Sequence, residues 1–271
     1  MAESIARFIK KIALSLFYIL IYFAFLHLLF GQVEFLEEDA ENYGELVTIL
    51  ASVASMAVYL VILYLREVKV TRYIKIKNVT LLDAVLALML AFGYRILTGA
   101  YLMWSADNVP MLQRSLEGAQ SGYNLNTMTT FGIVSVVVSV CIVAPIFEEV
   151  LFRGLILGEL KRAMPDGFAI VLQAVLFGLA HAVLAQSIFA MVYALILGAL
   201  YLRVKNIAVV ILAHVFFNIS SVLEVKNADM INQMFVTGLL LTMSSIVIFF
   251  YIYKRKKPAS TAEITGGNIN V

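Results

Sequence analysis

Ionisable residues stand inside an otherwise apolar run at Pro145–Gly154, which reads PIFEEVLFRG. Charged side chains at membrane depth are costly unless they pair or face a cavity, so they indicate function. Glu149 and Arg153 are four residues apart with the acid first, the favourable order for an ion pair on one helix face. Glu148 lies about 100° further round the helix, so it cannot fully share that pair. The stretch predicts a neutralised Glu149–Arg153 couple and one carboxylate, Glu148, available for chemistry.

Two of the three histidines follow in the same half of the chain. Phe177 and His181 are four residues apart and share a helix face, as do His214 and Asn218. A carboxylate such as Glu148 and an imidazole are the minimum set for activating a water molecule. Donors from His214 and Asn218 could hold the oxyanion of a tetrahedral intermediate. These residues therefore predict hydrolysis of an amide bond in the membrane without a serine or cysteine nucleophile.

The geometry of this chemistry leads to two structural expectations. The three polar motifs should meet in one cavity near the cytoplasmic side, with Glu148 within one water molecule of His181. Pro145 has no backbone N–H and clashes with the preceding turn, so it should interrupt its helix one turn before Glu148. Other polar positions are interpreted as structural: Asp83 at a helix start, Arg95 within a span, and Cys141 as an inert thiol.

Composition sets the fold class. The chain has 271 residues, of which 62% are hydrophobic and 14% charged, and its mean hydropathy is +0.93. No soluble domain of this size could bury so much apolar surface, so we predict an all-α polytopic membrane protein whose helical bundle encloses a polar cavity. The hydropathy pattern predicts eight transmembrane helices, at residues 12–30, 45–65, 80–104, 128–152, 168–184, 187–203, 206–224 and 235–253.

Charge in the connections predicts topology. Basic loops alternate with neutral or acidic ones along the chain, which places both termini in the cytoplasm. A prokaryotic plasma membrane and a eukaryotic endoplasmic reticulum are both open, and the prokaryotic membrane is favoured. Residues 1–257 form a single transmembrane catalytic domain in this interpretation, with the motifs in 145–218. Residues 258–271 are polar and are predicted to be a flexible cytoplasmic tail. The Lys254–Lys257 cluster is interpreted as a membrane anchor, and no nucleic acid is expected as a partner.

The three motifs together resemble the CAAX prenyl protease and bacteriocin-processing family (CPBP, also called Abi), the membrane glutamate endopeptidases that include Rce1. They are Glu148-Glu149-x-x-x-Arg153, Phe177-x-x-x-His181 and His214-x-x-x-Asn218. The resemblance implies a CAAX-type endopeptidase without cofactor, in which Glu148 and His181 activate water. It assigns the oxyanion to His214 and Asn218, and supporting roles to Glu149, Arg153 and Phe177. The implied partner is a membrane-anchored protein or peptide, with or without a prenyl group.

Three alternatives remain open from the residues alone. Glu148, His181 and His214 also form a set of ligands for zinc, so a zinc-dependent membrane peptidase is the runner-up. The polar cavity could instead belong to a non-catalytic bacteriocin-immunity or binding protein. A transporter would also bury such residues as a proton relay, but the N-terminal half has no counterpart of the Pro145–Gly154 stretch.

Overall fold

The computed structural model describes residues 2–33, 40–120, 128–181, 183–222 and 228–253, and these residues contain helices and no strands. The helices are α1 (Ala2–Val33), α2 (Ala40–Leu65), α3 (Leu81–Asn108), α4 (Pro110–Gln120), α5 (Thr130–Val138), α6 (Ala144–Glu149), α7 (Leu157–Leu160), α8 (Asp166–Leu179), α9 (Leu184–Val204), α10 (Ile207–Val222) and α11 (Ala228–Ile252). A 3-10 turn, Val70–Arg72, lies between α2 and α3.

The predicted all-α membrane fold is confirmed. Six helices in the described part of the chain are long and apolar enough to cross a membrane, and two shorter apolar helices accompany them. These eight correspond one to one with the eight predicted spans, and their ends differ from the predicted ends by at most ten residues, at the start of α1. The 14 residues of α8 extend about 21 Å, which is less than the hydrocarbon core of about 30 Å.

One long rod, formed by α5, α6 and α7, carries the Glu148–Arg153 motif. It is not a regular α-helix, because π-helical segments occupy Ser139–Val143 and Val150–Ile156. Pro145 stands in the first turn of α6, directly after the first π-helical segment. The prediction that the helix is interrupted at Pro145 is therefore confirmed. The rod also continues to Leu160, eight residues beyond the predicted span.

The end of α8 determines where the second motif lies. Helix α8 stops at Leu179, so His181 stands in the turn that leads to α9 and not on a helix face. Gly178 makes this turn possible, since a Cβ on Gly178 would lie 2.7 Å from the carbonyl oxygen of Ser187. Because α8 ends at Leu179, the chain turns back toward α9, and His181 lies in this turn.

Helices α3 and α11 pack closely against each other. A Cβ on Gly93 would lie 2.8 Å from the carbonyl oxygen of Gly238, so the two backbones touch at these glycines. Helix α3 begins with a capping box in which Thr80 accepts from the N–H of Asp83 and Asp83 accepts from the N–H of Thr80. The predicted helix-start position of Asp83 is confirmed. The hydroxyl of Tyr253, after α11, donates to Asp83 at 2.6 Å.

Some predictions concern residues outside the described part of the chain. The tail 258–271 and the Lys254–Lys257 cluster lie there. The cytoplasmic location of both termini and the single catalytic domain at 1–257 stay predictions.

Candidate active site

The predicted ion pair of Glu149 and Arg153 is present and fully buried. Nη1 of Arg153 lies 2.8 Å from Oε1 of Glu149, and both side chains are 0% exposed. The guanidinium also stacks over the ring of Phe177, with Cζ 4.6 Å from the ring centroid. Phe177 is itself buried on α8. The rod and α8 are therefore joined through one charged group, which neutralises Glu149.

His214, on α10, lies between the two adjacent glutamates. Its Nδ1 is 2.8 Å from Oε1 of Glu149, and its Nε2 is 3.8 Å from Oε2 of Glu148. Glu149 opposite Arg153 is an ionised acceptor, so we assign the proton to Nδ1 of His214. The other ring nitrogen, Nε2, then faces the carboxylate of Glu148. The two adjacent glutamates thus lie beside different ring nitrogens of the same histidine.

His181 has the same tautomer for a different reason. Its Nδ1 lies 2.8 Å from the carbonyl oxygen of Phe177. A carbonyl can only accept, so Nδ1 of His181 donates and Nε2 carries the lone pair. The rings of His181 and Phe177 are also in contact, with centroids 4.7 Å apart. The four-residue spacing thus places both residues of the motif together although the helix ends between them.

Asn218 connects α10 to the π-helical segment before Glu148. Its Nδ2 donates to the carbonyl oxygen of Val140 at 2.7 Å. In the π-helical pattern, residue 145 would donate to the carbonyl of residue 140, but Pro145 has no N–H. The amide of Asn218 therefore supplies a hydrogen bond that the proline cannot.

The four candidate catalytic residues meet at one cavity. This cavity has a volume of about 360 Å³, and Glu148, His181, His214 and Asn218 all line it. The expectation that three motifs from separate spans converge on one cavity is confirmed, while its cytoplasmic location and the water-mediated contact between Glu148 and His181 stay predictions. A neighbouring cavity of about 130 Å³ lies between α1, the rod and the turn after α8, and Glu148 and His181 line it as well.

Several lining residues of the larger cavity were missed in the sequence, or were named there without a role at the site. They are Tyr22, Glu45, Arg95, Gln186 and Tyr193. The predicted second span begins at residue 45, which places Glu45 at the membrane boundary, whereas α2 begins earlier and Glu45 is only 6% exposed. The hydroxyl of Tyr193 donates to the carbonyl oxygen of Ala213 at 2.9 Å, and its ring packs edge-on against His214. No periodic signal distinguishes Tyr193 from an ordinary core aromatic.

The cavity presents acceptors to a water molecule. The carboxylate of Glu148 and the Nε2 lone pairs of His181 and His214 can each accept a proton or a hydrogen bond. In the described part of the chain, no group of three or more His, Cys, Asp or Glu side chains is arranged to hold a metal ion. The arrangement is suited to removing a proton from water.

Comparison with known proteins agrees with this geometry. Residues 130–220 match the family model described as Type II CAAX prenyl endopeptidase Rce1-like. This Rce1-like segment contains all seven predicted site residues, which are Glu148, Glu149, Arg153, Phe177, His181, His214 and Asn218.

One curated relative is a protein of Bacillus subtilis (strain 168) named "Putative membrane peptidase YdiL". It is 38% identical over 77 residues, which are 28% of this chain and 32% of the relative. The match thus spans about a third of the relative's length. No solved structure matches this chain significantly.

Proposed function

We infer that this chain is an intramembrane endopeptidase that hydrolyses a peptide bond near the C-terminus of a membrane-associated protein or peptide. The observation that carries this proposal is the convergence of Glu148, His181, His214 and Asn218 on one cavity inside an apolar bundle. The Rce1-like match over 130–220 supports the same reaction class. The catalytic roles of the four residues are part of the proposal.

In the proposed reaction, Glu148 accepts a proton from water while Nε2 of His181 holds that water by accepting its second hydrogen. The water oxygen forms a bond to the carbonyl carbon of the substrate, and the carbonyl oxygen becomes an oxyanion. Collapse of this intermediate breaks the C–N bond. Glu148 returns the proton to the leaving amine, so the carboxylate is regenerated.

The proposed oxyanion site consists of His214 and the amide of Asn218. Because Glu149 fixes one proton on Nδ1 of His214, Nε2 can donate only when the imidazole carries a second proton. Glu148 lies 3.8 Å from this Nε2, within reach of a proton exchange through a small shift. The role of Glu149 is therefore to orient His214 and to balance the charge of its protonated form.

Arg95 supports cleavage near a C-terminus. It lines the active-site cavity from α3, and its Nε is buried without a hydrogen-bond partner among the described residues. A guanidinium in such a place is stabilised by a bound anion, and the free carboxylate of a peptide is a bidentate match. We expect peptides with a free C-terminal carboxylate to have a lower KM than the same peptides with a C-terminal amide.

The direct test is mass spectrometry of the purified protein incubated with prenylated and unprenylated peptides. Cleavage of prenylated CaaX peptides alone would assign the protein to CaaX processing, and cleavage of both would remove the prenyl requirement. If no peptide is cleaved by protein whose melting temperature shows it to be folded, the peptidase proposal is contradicted. A binding or immunity role would then account for the cavity.

Zinc-dependent hydrolysis is the second candidate. Glu148, His181 and His214 are residue types that bind zinc, although no three such side chains of the described residues are arranged to hold a metal ion. The two mechanisms differ in their response to a chelator. Activity that survives EDTA, in protein without stoichiometric zinc, would remove the zinc mechanism, whereas loss on chelation and recovery with zinc would establish it.

A further inference from the structure

A second cavity, of about 310 Å³, lies at the end of the bundle where the loops are basic. We call it the basic pocket. Its walls come from the loop after α2, the end of α7 and the loop after α9, and the catalytic residues are not among its lining residues. Five cationic residues of these connections line it, namely Arg72, Lys75, Lys161, Arg162 and Lys205.

The charges of the basic pocket are only partly balanced. Lys161 lies 3.6 Å from Asp166, and Arg162 lies 3.5 Å from Glu159. Within the described ranges, Arg72, Lys75 and Lys205 have no ion-pair partner, and none of the residues that line the pocket is acidic. Several like charges around one concave surface repel one another, so an anion bound among them stabilises the arrangement.

Arg153 adds an independent observation. It also lines the basic pocket, although it is fully buried. Its Nη1 contacts Glu149, but Nε and Nη2 have no hydrogen-bond partner among the described residues. Unsatisfied buried donors of a charged group are costly. The buried positive charge of Arg153 therefore favours an anion in the adjacent pocket, and a phosphate group is such an anion.

The walls of the basic pocket are fixed by hydrogen bonds to the bundle. The hydroxyl of Tyr201 donates to the carbonyl oxygen of Tyr73 at 2.7 Å. The N–H of Ile207 donates to the carbonyl oxygen of Lys75 at 2.7 Å, and the side chain of Asn206 accepts from the N–H of Lys77 at 3.0 Å. The cations therefore stand on connections held in place before a ligand arrives.

We propose that the basic pocket binds the phosphate of an anionic phospholipid headgroup. Phosphate is the chemistry that the guanidinium and ammonium groups recognise, and lipid headgroups supply it at the level where membrane helices end. Basic pockets between transmembrane helices are suited to such headgroups. The pocket and the active-site cavity share no lining residue, and Arg153, which pairs with Glu149, lies between them.

The test measures lipid binding by full-length protein in a neutral detergent. Phosphatidylglycerol is compared with phosphatidylcholine and with inorganic phosphate, by native mass spectrometry and by the shift in melting temperature. The pocket variant carries Arg72→Gln, Lys75→Gln and Lys205→Gln, all at exposed positions. The matched control carries Arg7→Gln, Lys10→Gln and Lys69→Gln, which removes the same charge from exposed sites outside the pocket.

Each basic side chain near an anionic surface strengthens binding about fivefold, so the pocket variant should bind phosphatidylglycerol about 100-fold more weakly. The control should lose much less, and both variants should melt like wild type without lipid. Equal losses in the two variants would overturn the proposal in favour of diffuse surface charge. Equal binding of phosphatidylcholine would also overturn it. If inorganic phosphate raises the melting temperature as much as phosphatidylglycerol does, the phosphate need not come from a lipid, and the lipid proposal is overturned.

Discussion

Two buried glutamates stand ten residues apart on the same rod, and both are 0% exposed, but their surroundings differ. Glu149 lies within the bundle beside the catalytic cavity, and Glu159 lies at the basic end. Glu149 contacts one arginine and one histidine, and its Oε2 has no hydrogen-bond partner among the described residues.

Glu159 has many more partners. Lys11 lies 2.5 Å away, Arg66 2.7 Å and Arg162 3.5 Å, and the hydroxyl of Tyr73 donates to the carboxylate as well. These contacts join α1, the end of α2, the loop after it and the end of α7. Burial lowers the pKa of Arg66, but the hydrogen bond and charge of Glu159 outweigh it, so the pKa is raised.

The difference separates a structural junction from the proposed active site. At Glu159 several cations and one hydroxyl saturate the carboxylate, so this carboxylate is not available as a base. At Glu149 a single guanidinium neutralises the carboxylate, and its remaining contact orients His214. A minimal set of partners is what leaves Nε2 of His214 and the carboxylate of Glu148 available in the cavity.

The largest expected effect on stability belongs to Glu149→Gln. This change leaves the buried guanidinium of Arg153 only partly compensated, a defect that costs about 3–5 kcal/mol of unfolding free energy. Turnover should fall too, because the proton on Nδ1 of His214 is no longer fixed. Unfolding in detergent measures the first effect and peptide cleavage the second.

The double variant Glu149→Gln with Arg153→Met is the control. It should recover part of the lost stability without restoring full turnover. If Glu149→Gln unfolds like wild type, Glu149 and Arg153 are not coupled in the way the structure indicates.

A smaller effect is expected for Glu159→Gln. Its cations are 14–27% exposed and can turn to water, so we expect a loss of about 2 kcal/mol in unfolding free energy. Turnover per folded molecule should not change. Glu3→Gln, at an exposed acid of α1, is the matched control and should stay within about 0.5 kcal/mol of wild type. A loss of turnover without a loss of stability in Glu159→Gln would erase the distinction between the two glutamates.

The smallest effect, about 1 kcal/mol, is expected for Tyr73→Phe, which removes the hydroxyl that donates to Glu159 and accepts from Arg162 at 2.6 Å. Burial, followed by the hydrogen bond and charge of Glu159, raises the pKa of Tyr73. The stability that the hydroxyl contributes is therefore fully present below the ordinary tyrosine pKa of about 10 and is lost as pH rises through the raised value. Melting curves of wild type and variant should converge above pH 10. A gap that widens there would contradict this assignment.

The local parts of the site could be predicted from the sequence because helical spacing encodes them. Glu149 and Arg153 are four residues apart and form the predicted ion pair, and the missing N–H of Pro145 predicts the interruption of the rod. The turn at His181 could not be predicted, because it depends on how close Gly178 comes to α9. The hydropathy pattern could locate the ends of α8 only to within a few residues, so it did not reveal how short this helix is.

Long-range contacts were beyond the sequence. The partners of Glu159 stand as far as 148 residues away, on α1, so no local pattern marks this glutamate. The bond between Nδ1 of His214 and Glu149 spans 65 residues and depends on the packing of α10 against the rod. Sequence spacing placed His214 and Asn218 on one helix face. Their hydrogen-bond partners, Glu149 for His214 and the carbonyl of Val140 for Asn218, follow only from the fold.

The most direct test of the division between Glu148 and Glu149 is turnover per folded molecule for Glu148→Gln beside Glu149→Gln. The change at Glu148 keeps the shape of the side chain and removes its ability to accept a proton. We expect cleavage to fall by about 10²–10⁴ while the melting temperature stays near that of wild type. Normal cleavage by Glu148→Gln, together with a Glu149→Gln variant that is fully stable and inactive, would reverse the two roles and contradict the mechanism.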